Sequence, residues 1–272
     1  MRLLSLIAGG FALLPMAYAQ TPAVNPGGVV NAGSYAAEGV APGSIVSIFG
    51  TSLAGSLSVA NTVPLSTTLG DVTSVTFNNI PAPLYFVSGG QINAQLPWNV
   101  LPSGTTSGTV NVVLTRSSGT SAPQSVNVVP AIPGIFTVSQ NGLGQAIATD
   151  NSDGAIAAPA GSIAAVTTHP ISLGSGHALI VWCTGLGPVN PSIDNGVAAS
   201  DGVFRNTVAQ PKVLIGGVEA QFVYSVLSPQ YVSENQIGVV PAANTPTGDA
   251  VPLQIQVNGV TTSDKVTIAV TN

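Results

Sequence analysis

The chain has 272 residues, of which 6% are charged, and its formal net charge is −5 at pH 7. Because the five Lys and Arg residues are scattered, the sequence excludes the clustered basic surface that nucleic-acid binding requires. The single cysteine excludes an intrachain disulfide, so each folded unit must rely on its hydrophobic core.

The chain begins with a pattern typical of a secretory signal peptide. Arg2 precedes a short apolar run, and Ala17-Tyr18-Ala19 has the small-x-small order of a cleavage site. We therefore predict a signal peptide over 1–19 and a secreted protein, located extracellularly or at the cell surface, with the periplasm left open. Apolar runs elsewhere are short, so no membrane span is predicted in the mature chain.

Short β-strands are predicted along the rest of the chain. "SIVSIFG" (44–50), "SVTFNNI" (74–80), "TVNVVLTR" (109–116) and "QSVNVV" (124–129) are rich in β-branched residues, and several alternate apolar with polar positions. Clusters of Gly, Pro, Asn and Ser separate such runs about every 8–12 residues, which is the spacing of a β-sandwich. The fold class predicted is all-β.

The strand pattern occurs twice. "GSIVSIFGTSLA" (43–54) is matched by "GHALIVWCTGLG" (176–187), and residues 75–97 are matched by 213–241. In the latter pair each copy has a strand, a two-residue turn (Asn78-Asn79 or Gly216-Gly217), a strand with a tyrosine and a strand beginning Gln-Ile. Such turns favour positive φ, as hairpins require.

The repeat predicts two tandem domains. The first covers 20–131 and the second 132–272, with an added hairpin at the start of the second domain. The boundary falls near the proline-rich "PAIPGIF" (130–136), which indicates a short, stiff junction. Within each copy, the aromatic of the repeated strand, Phe49 or Trp182, is expected to fill the space between the two sheets.

These motifs resemble the IPT/TIG immunoglobulin-like domain. The whole arrangement is similar to an uncharacterised C-terminal module of secreted proteins from Acidobacteria, especially Solibacter. The matching stretches are "VVNAGSYAAEGVAPGSIVSIFGTSLA" (29–54), "GGQINAQLPW" (89–98), "AIPGIF" (131–136), "TGLGPV" (184–189) and "PTGDAVPLQIQVNGV" (246–260). The resemblance implies two tandem immunoglobulin-like β-sandwiches, and it supplies no catalytic residue, because that module has no assigned activity.

Residues with the chemistry of catalysis or metal binding do not form a recognisable pattern. Cys183 lies in an apolar strand without an adjacent base, which is typical of a buried, inert thiol. His169 and His177 lack the nearby carboxylates of a zinc site. "TDNSDGAI" (149–156) lacks the ligand order of a calcium loop and is interpreted as a turn. We therefore predict no catalytic residue, no metal and no cofactor.

The acidic residues are isolated in the sequence. Single carboxylates lie near predicted turns at Asp71, Asp194, Asp201, Glu219 and Asp264. A glycosidase would need two facing carboxylates, and whether any pair meets in space is left open by the sequence.

Aromatic side chains are the remaining candidates for ligand contacts. Trp98 follows Pro97 at a strand end, where it either contacts a ligand or packs near the domain junction. The sequence leaves the same two alternatives for Tyr231 and Tyr35, whereas Trp182 is interpreted as a core residue. Trp98 and Tyr231 are therefore the candidate ligand-binding residues.

The function predicted from the sequence is that of a non-enzymatic structural or adhesive protein. It would bind at the cell surface or to an extracellular polysaccharide or protein, because its charge-poor surface carries no reactive constellation. The alternative is a dedicated polysaccharide-binding module, and the third hypothesis is a glycosidase-type hydrolase.

Overall fold

The computed structural model describes residues 20–272, so the predicted signal peptide lies outside the described residues. That part of the chain contains β-strands and no helix, as the all-β prediction requires. It accordingly contains no helix with the length and apolar character needed to cross a membrane.

Residues 23–128 form the first unit, in which two sheets face each other. One sheet has the strand order β1-β2-β7-β6-β3, and the other has the order β10-β8-β4-β5 with β9 beside β8. The strands are β1 (Ala23–Asn31), β2 (Ile45–Thr51), β3 (Ser58–Val59), β4 (Val72–Phe77), β5 (Ile80–Pro81), β6 (Leu84–Val87), β7 (Gln91–Gln95), β8 (Gly108–Arg116), β9 (Gly119–Thr120) and β10 (Gln124–Val128).

Residues 134–271 form the second unit. The larger sheet has the order β15-β14-β13-β17-β23-β22-β19-β18 with β11 beside β17, and the smaller has β12-β26-β24-β20-β21 with β16 and β25 at its sides. The strands are β11 (Gly134–Ile135), β12 (Gly144–Gln145), β13 (Ala148–Asp150), β14 (Ile156–Ala157), β15 (Thr168–His169), β16 (Ile171–Ser172), β17 (Leu179–Thr184), β18 (Val189–Asn190), β19 (Asn206–Thr207), β20 (Lys212–Ile215), β21 (Val218–Glu219), β22 (Gln221–Leu227), β23 (Asn235–Val240), β24 (Gly248–Val257), β25 (Val260–Thr261) and β26 (Val266–Thr271).

The two units share one strand plan. The central order β2-β7-β6 corresponds to β17-β23-β22, and β10-β8-β4-β5 corresponds to β26-β24-β20-β21. The predicted turns have the expected left-handed backbone, with φ of 48° and 66° at Asn78 and Asn79 and of 58° and 81° at Gly216 and Gly217. The structure therefore shows two tandem immunoglobulin-like sandwiches.

Each unit buries its own core between its sheets. In the first unit the core includes Val46, Ile48 and Phe77, which are fully buried. In the second it includes Leu179 and Val181 at the positions equivalent to Val46 and Ile48. Alternate residues of a strand face the same side, so this spacing matches the period-two pattern of the repeated phrase.

The prediction that Phe49 and Trp182 fill the cores is wrong. Each directly follows a buried core residue in its strand and therefore points to the opposite, outer face of its sheet. Phe49 packs there against Tyr35, with ring centroids 6.2 Å apart. The indole Nε1 of Trp182 donates to Thr149 Oγ1 at 3.1 Å. Both aromatics are half-buried and accessible from outside.

The loop 185–205 of the second unit, which includes β18, packs against the first unit. Leu65 N donates to Gly196 O at 2.8 Å, and Gly196 N donates to Gln95 Oε1 at 2.6 Å. A small apolar cluster crosses the junction, in which Ala198 and Val232 pack with Leu65. The junction is therefore a packed contact and not a free linker.

A second set of contacts surrounds the chain where it passes between the units. Asn31 is fully buried, and its Nδ2 donates to Ile132 O at 2.8 Å while its Oδ1 accepts from Gly33 N at 2.7 Å. Ile45 N donates to Thr184 Oγ1 at 2.9 Å. Ile132 O and Ile45 N are main-chain groups satisfied by side chains from across the junction, so these two bonds fix how the units meet.

Candidate functional site

An apolar groove lies on the outer face of the larger sheet of the second unit, and we call it the Phe204 groove. It has a volume of about 770 Å³. Phe204 is 77% exposed, although large aromatic residues usually bury most of their area. Tyr224 lines the same groove, together with the amide side chains of Asn206 and Gln236. Aromatic surface with a few convergent hydrogen-bonding groups is the usual composition of a ligand site.

The loop that carries Phe204 is held in place by an ion pair. Arg205 Nη1 and Nη2 donate to the two carboxylate oxygens of Asp201 at 2.6 and 2.7 Å. Arg205 Nη1 also donates to Val203 O, and Leu227 N donates to Arg205 O. The hydrogen bonds from Arg205 hold the pKa of Asp201 well below its usual range. The exposed ring is thus presented by a pre-organised loop.

Strand register places the groove side chains in a row across the sheet. Trp182 on β17 is opposite Gln236 on β23, Gln236 is opposite Val226 on β22, and Val226 is opposite Asn206 on β19. Residues directly opposite each other in a sheet project from the same face. Trp182 therefore shares the outer face with the two amides of the Phe204 groove.

Tyr224 lies flat on this face because its neighbour is a glycine. It is paired with Gly238, and its ring occupies the space that a Cβ at Gly238 would take. Any larger residue at position 238 would displace the ring. The half-buried Tyr224 therefore forms part of the groove floor, while Phe204 forms its exposed wall.

A smaller cavity, which we call the Tyr231 pocket, lies beyond Trp182 on the same face. Its volume is about 220 Å³, and it is lined by Phe136, Ile147, Trp182, Gln230, Tyr231 and Glu234. Tyr231 is 55% exposed. Burial raises the pKa of Glu234 to about 7, and Ser228 partly opposes this rise. The pocket thus combines three aromatic rings that are at least partly accessible with one carboxyl group.

The structure places the two aromatic candidates from the sequence in different surroundings. Tyr231 is exposed in a cavity of the outer face. Trp98 is half-buried at the junction, where it packs against the cluster of Val189, Ala199 and Leu227 and fills the space beside Gly43. The ligand-binding role of each residue stays a prediction, and the exposed Tyr231 has the geometry that suits it better.

Cys183 and the histidines are placed as follows. Cys183 is fully buried, and this burial raises the pKa of its thiol. His177 Nδ1 lies 3.3 Å from Asp150 Oδ2, and His169 Nε2 lies 3.0 Å from Asp153 Oδ2. Between residues 20 and 272 no three His, Cys, Asp or Glu side chains converge as a metal site would require.

Several carboxylates are paired with cations. Asp71 lies 2.9 Å from Arg116, Asp201 is paired with Arg205, and Glu219 lies 2.9 Å from Lys212. Glu234 has no ion-pair partner among the described residues, and burial raises its pKa without a contribution from a second carboxylate. The raised pKa of Glu234 therefore does not come from a facing carboxylate of the kind that a glycosidase needs.

Another large cavity, of about 760 Å³, lies at the junction and is lined mainly by loop residues such as Pro130, Pro133 and Asn258. The described residues of its lining include no aromatic ring. It therefore lacks the combination of stacking surface and amides that marks the Phe204 groove.

Sequence reasoning missed Phe204 and Asn206 because they lie in a turn-rich segment without strand periodicity. A signal was nevertheless present, since a large aromatic stands beside Asp201-Gly202, where a solvent-exposed turn is expected. Gln236 and Tyr224 were recognised as parts of the repeat. Their place on the outer face depends on strand register, which the sequence alone does not fix.

No family model and no curated protein matches the chain. Among solved structures, the chain is similar to the surface glycan-binding protein PbSGBP-B from Prevotella bryantii, with a TM-score of 0.27 and 10% identity over 89% of this chain and 41% of that one. It is similar to the I9–I11 tandem of titin, with a TM-score of 0.22 and 10% identity over 93% and 66%. It is also similar to domains 5–6 of the S-layer protein SbsC, with a TM-score of 0.26 and 11% identity over 93% and 99%. The chain thus spans less than half the length of the first of these proteins.

Proposed function

We propose that the protein is a secreted, non-enzymatic binding module whose Phe204 groove holds an extracellular polysaccharide. The observation that carries this proposal is the 77% exposed Phe204, held over a groove that Tyr224 and two amides also line. The apolar C–H faces of a sugar ring stack on aromatic rings, and its hydroxyl groups pair with amide side chains. The alternative adhesive role, toward a protein partner, would use the same exposed ring.

The charges around the groove favour a sugar over a charged ligand. The groove lining contains no charged side chain among the described residues. Asp201 and Arg205 beside it neutralise each other. A charged ligand would lose hydration without gaining a counter-charge, whereas a neutral polyol would exchange water hydrogen bonds for those of the amides.

A non-enzymatic role fits the arrangement of the carboxylates. Hydrolysis of a glycosidic bond normally uses an acid and a second carboxylate about 5–10 Å apart. Glu234 shows no influence of such a partner, and the groove itself has no carboxylate in its lining. Membership of the Solibacter module family and export through residues 1–19 stay predictions.

Retention on polysaccharides tests the proposed function. Residues 20–272 are passed through native gels that contain one soluble neutral polysaccharide each, and mobility is compared with a gel without polysaccharide. Wild type is expected to be retarded by at least one polymer, and Phe204→Ala is expected to lose that retardation. Leu57→Ala is the matched control, because Leu57 is an apolar residue of the first unit that is 66% exposed.

The variants must remain folded for the comparison to count. Phe204 and Leu57 are both largely exposed, so both substitutions are expected to leave the thermal midpoint nearly unchanged. Retardation of Phe204→Ala equal to that of wild type would remove the groove from the proposal. Retention on the producer's cell envelopes alone, lost after protease treatment of the envelopes, would favour the adhesive role.

A further inference from the structure

The Phe204 groove is one of three neighbouring cavities on the same side of the molecule. The second is the Tyr231 pocket. The third, which we call the junction pocket, has a volume of about 320 Å³ and is lined by residues of both units, among them Tyr35 and Asn93 of the first and Gln140 of the second.

The cavities adjoin one another along the outer face. Phe136 and Ile147 line both the Tyr231 pocket and the junction pocket, so these two cavities share a wall. The Phe204 groove and the Tyr231 pocket are joined through the directly opposed residues Gln236 and Trp182. Asn206 and Trp182 lie on strands that are three inter-strand spacings of about 4.8 Å apart. The distance across the sheet from the Phe204 groove to the Tyr231 pocket is therefore about 14 Å.

The chemistry along the path is uniform. Each cavity has at least one accessible aromatic ring, and each has an amide side chain in its lining. Glu234 is the one charged residue in the described linings of the three cavities. A polyanionic chain would meet no cation on this path, and the net charge of −5 would repel it.

We infer that a linear, neutral polysaccharide lies across all three cavities, from the Phe204 groove through the Tyr231 pocket to the junction pocket, so that the two units hold one chain together. This inference rests on the proposed function. It specifies the ligand as an internal segment of a long unbranched chain, because the path is open at the groove and continues onto the first unit. A single sugar or a chain end would fill only one cavity.

Binding to oligosaccharides of increasing length tests the inference. Calorimetric titration is carried out with a series from disaccharide to octasaccharide, prepared from the neutral polymer that retards wild type. The affinity of wild type is expected to rise over the whole series. Each occupied aromatic contact is expected to contribute about tenfold, which corresponds to about 1.4 kcal/mol and to an effective interface side chain.

Three variants separate the cavities. Phe204→Ala should weaken binding at every length, Tyr231→Ala only for intermediate and long chains, and Gln140→Gly only for the longest. Gln140 is exposed and has a left-handed backbone with φ of 53°, which glycine adopts without strain. Leu57→Ala again serves as the control and should match wild type at all lengths.

The outcomes distinguish the inference from the proposed function. If no neutral polysaccharide retards wild type, the proposed function fails, and the inference fails with it. If wild type binds but a disaccharide binds as tightly as an octasaccharide, the groove stands and the extended path is overturned. An effect of Tyr231→Ala without any effect of Gln140→Gly would exclude the junction pocket from the path, which contradicts the inference as stated.

Discussion

The indole of Trp98 occupies the space that a side chain at Gly43 would need. Three atoms of its six-membered ring, Cε3, Cζ3 and Cη2, stand where a Cβ at Gly43 would be built. Gly43 has φ of 73°, so its backbone is also one that L residues adopt at a cost. The pair lies next to the junction. There Trp98 N donates a hydrogen bond to Asn195 Oδ1 of the second unit at 2.8 Å.

Gly43→Ala is therefore expected to destabilise the protein strongly. The left-handed backbone costs about 1–2 kcal/mol and overpacking against Trp98 adds about 1–3 kcal/mol. Gly104→Ala is the matched control, because Gly104 has φ of 80° with open space around it. Urea unfolding should show a loss for Gly43→Ala that exceeds the loss for Gly104→Ala. Equal losses would mean that the indole gives way without cost.

Trp98→Ala should separate stability from binding. The half-buried ring packs at the junction, so its removal is expected to lower the free energy of unfolding by about 3 kcal/mol. Polysaccharide retardation of the folded protein should persist, because Trp98 lines none of the three cavities. Tyr231→Ala should behave in the opposite way, with unchanged stability and weaker binding of long chains. Loss of all retardation in folded Trp98→Ala would restore Trp98 as a ligand contact.

Asp201→Asn tests whether the loop must be pre-organised. The substitution keeps the size of the side chain but removes the charge that pairs with both Arg205 nitrogens. The loop that presents Phe204 should then become mobile, and polysaccharide affinity should fall although Phe204 is intact. Glu219→Gln is the control, since its pair with Lys212 is exposed on both sides and such pairs contribute little. Unchanged affinity of Asp201→Asn would show that the ion pair is dispensable for the groove.

Stability should decrease as the pH rises from about 4.5 to 7. The pKa of Glu234 is about 7 in the folded protein and 4.5 for the ordinary group, so between these values the folded state binds more protons than the unfolded state. The stabilisation by the protonated form is lost as the pH rises through the folded pKa, and it amounts to roughly 3 kcal/mol. Hydrogen bonds to Pro170 and Asp153 raise the pKa of His169 above its ordinary value of 6.5. Deprotonation of His169 therefore also lowers the stability as the pH rises above 6.5.

Glu234→Gln should flatten this profile, because glutamine stays neutral over the whole range. Urea unfolding of wild type and Glu234→Gln at intervals between pH 4.5 and 8 measures the difference. Glu38→Gln is the matched control at an exposed position, and it should reproduce the wild-type slope. A wild-type slope that survives in Glu234→Gln would contradict the assignment to this carboxyl group.

The fold could be predicted from the sequence because its determinants are local. Asn78-Asn79 and Gly216-Gly217 identify hairpins by their backbone preferences, and period-two patterns identify the strands between them. The same pattern failed for Phe49 and Trp182. Alternation shows which residues share a face, but both faces of these strands are apolar, and the inward face is decided by packing with distant strands.

The candidate site was less predictable because it depends on long-range register. Tyr224 lies flat because Gly238 is opposite it, and Phe204 is presented because Arg205 reaches back to Asp201. The first relationship requires the strand pairing and the second requires the path of an irregular loop. Neither leaves a periodic pattern in the sequence.

The loop 185–205 gives the two copies unequal roles. Between β2 and β3 the first copy has only residues 52–57, whereas the matching stretch between β17 and β19 runs over 185–205. This one longer loop supplies Gly196, which anchors the second copy to the first, and carries Phe204 near its end. The extra residues of this one loop therefore provide both the contact that joins the copies and the exposed aromatic ring of the groove. A change in this loop would therefore alter the contact between the copies and the groove together.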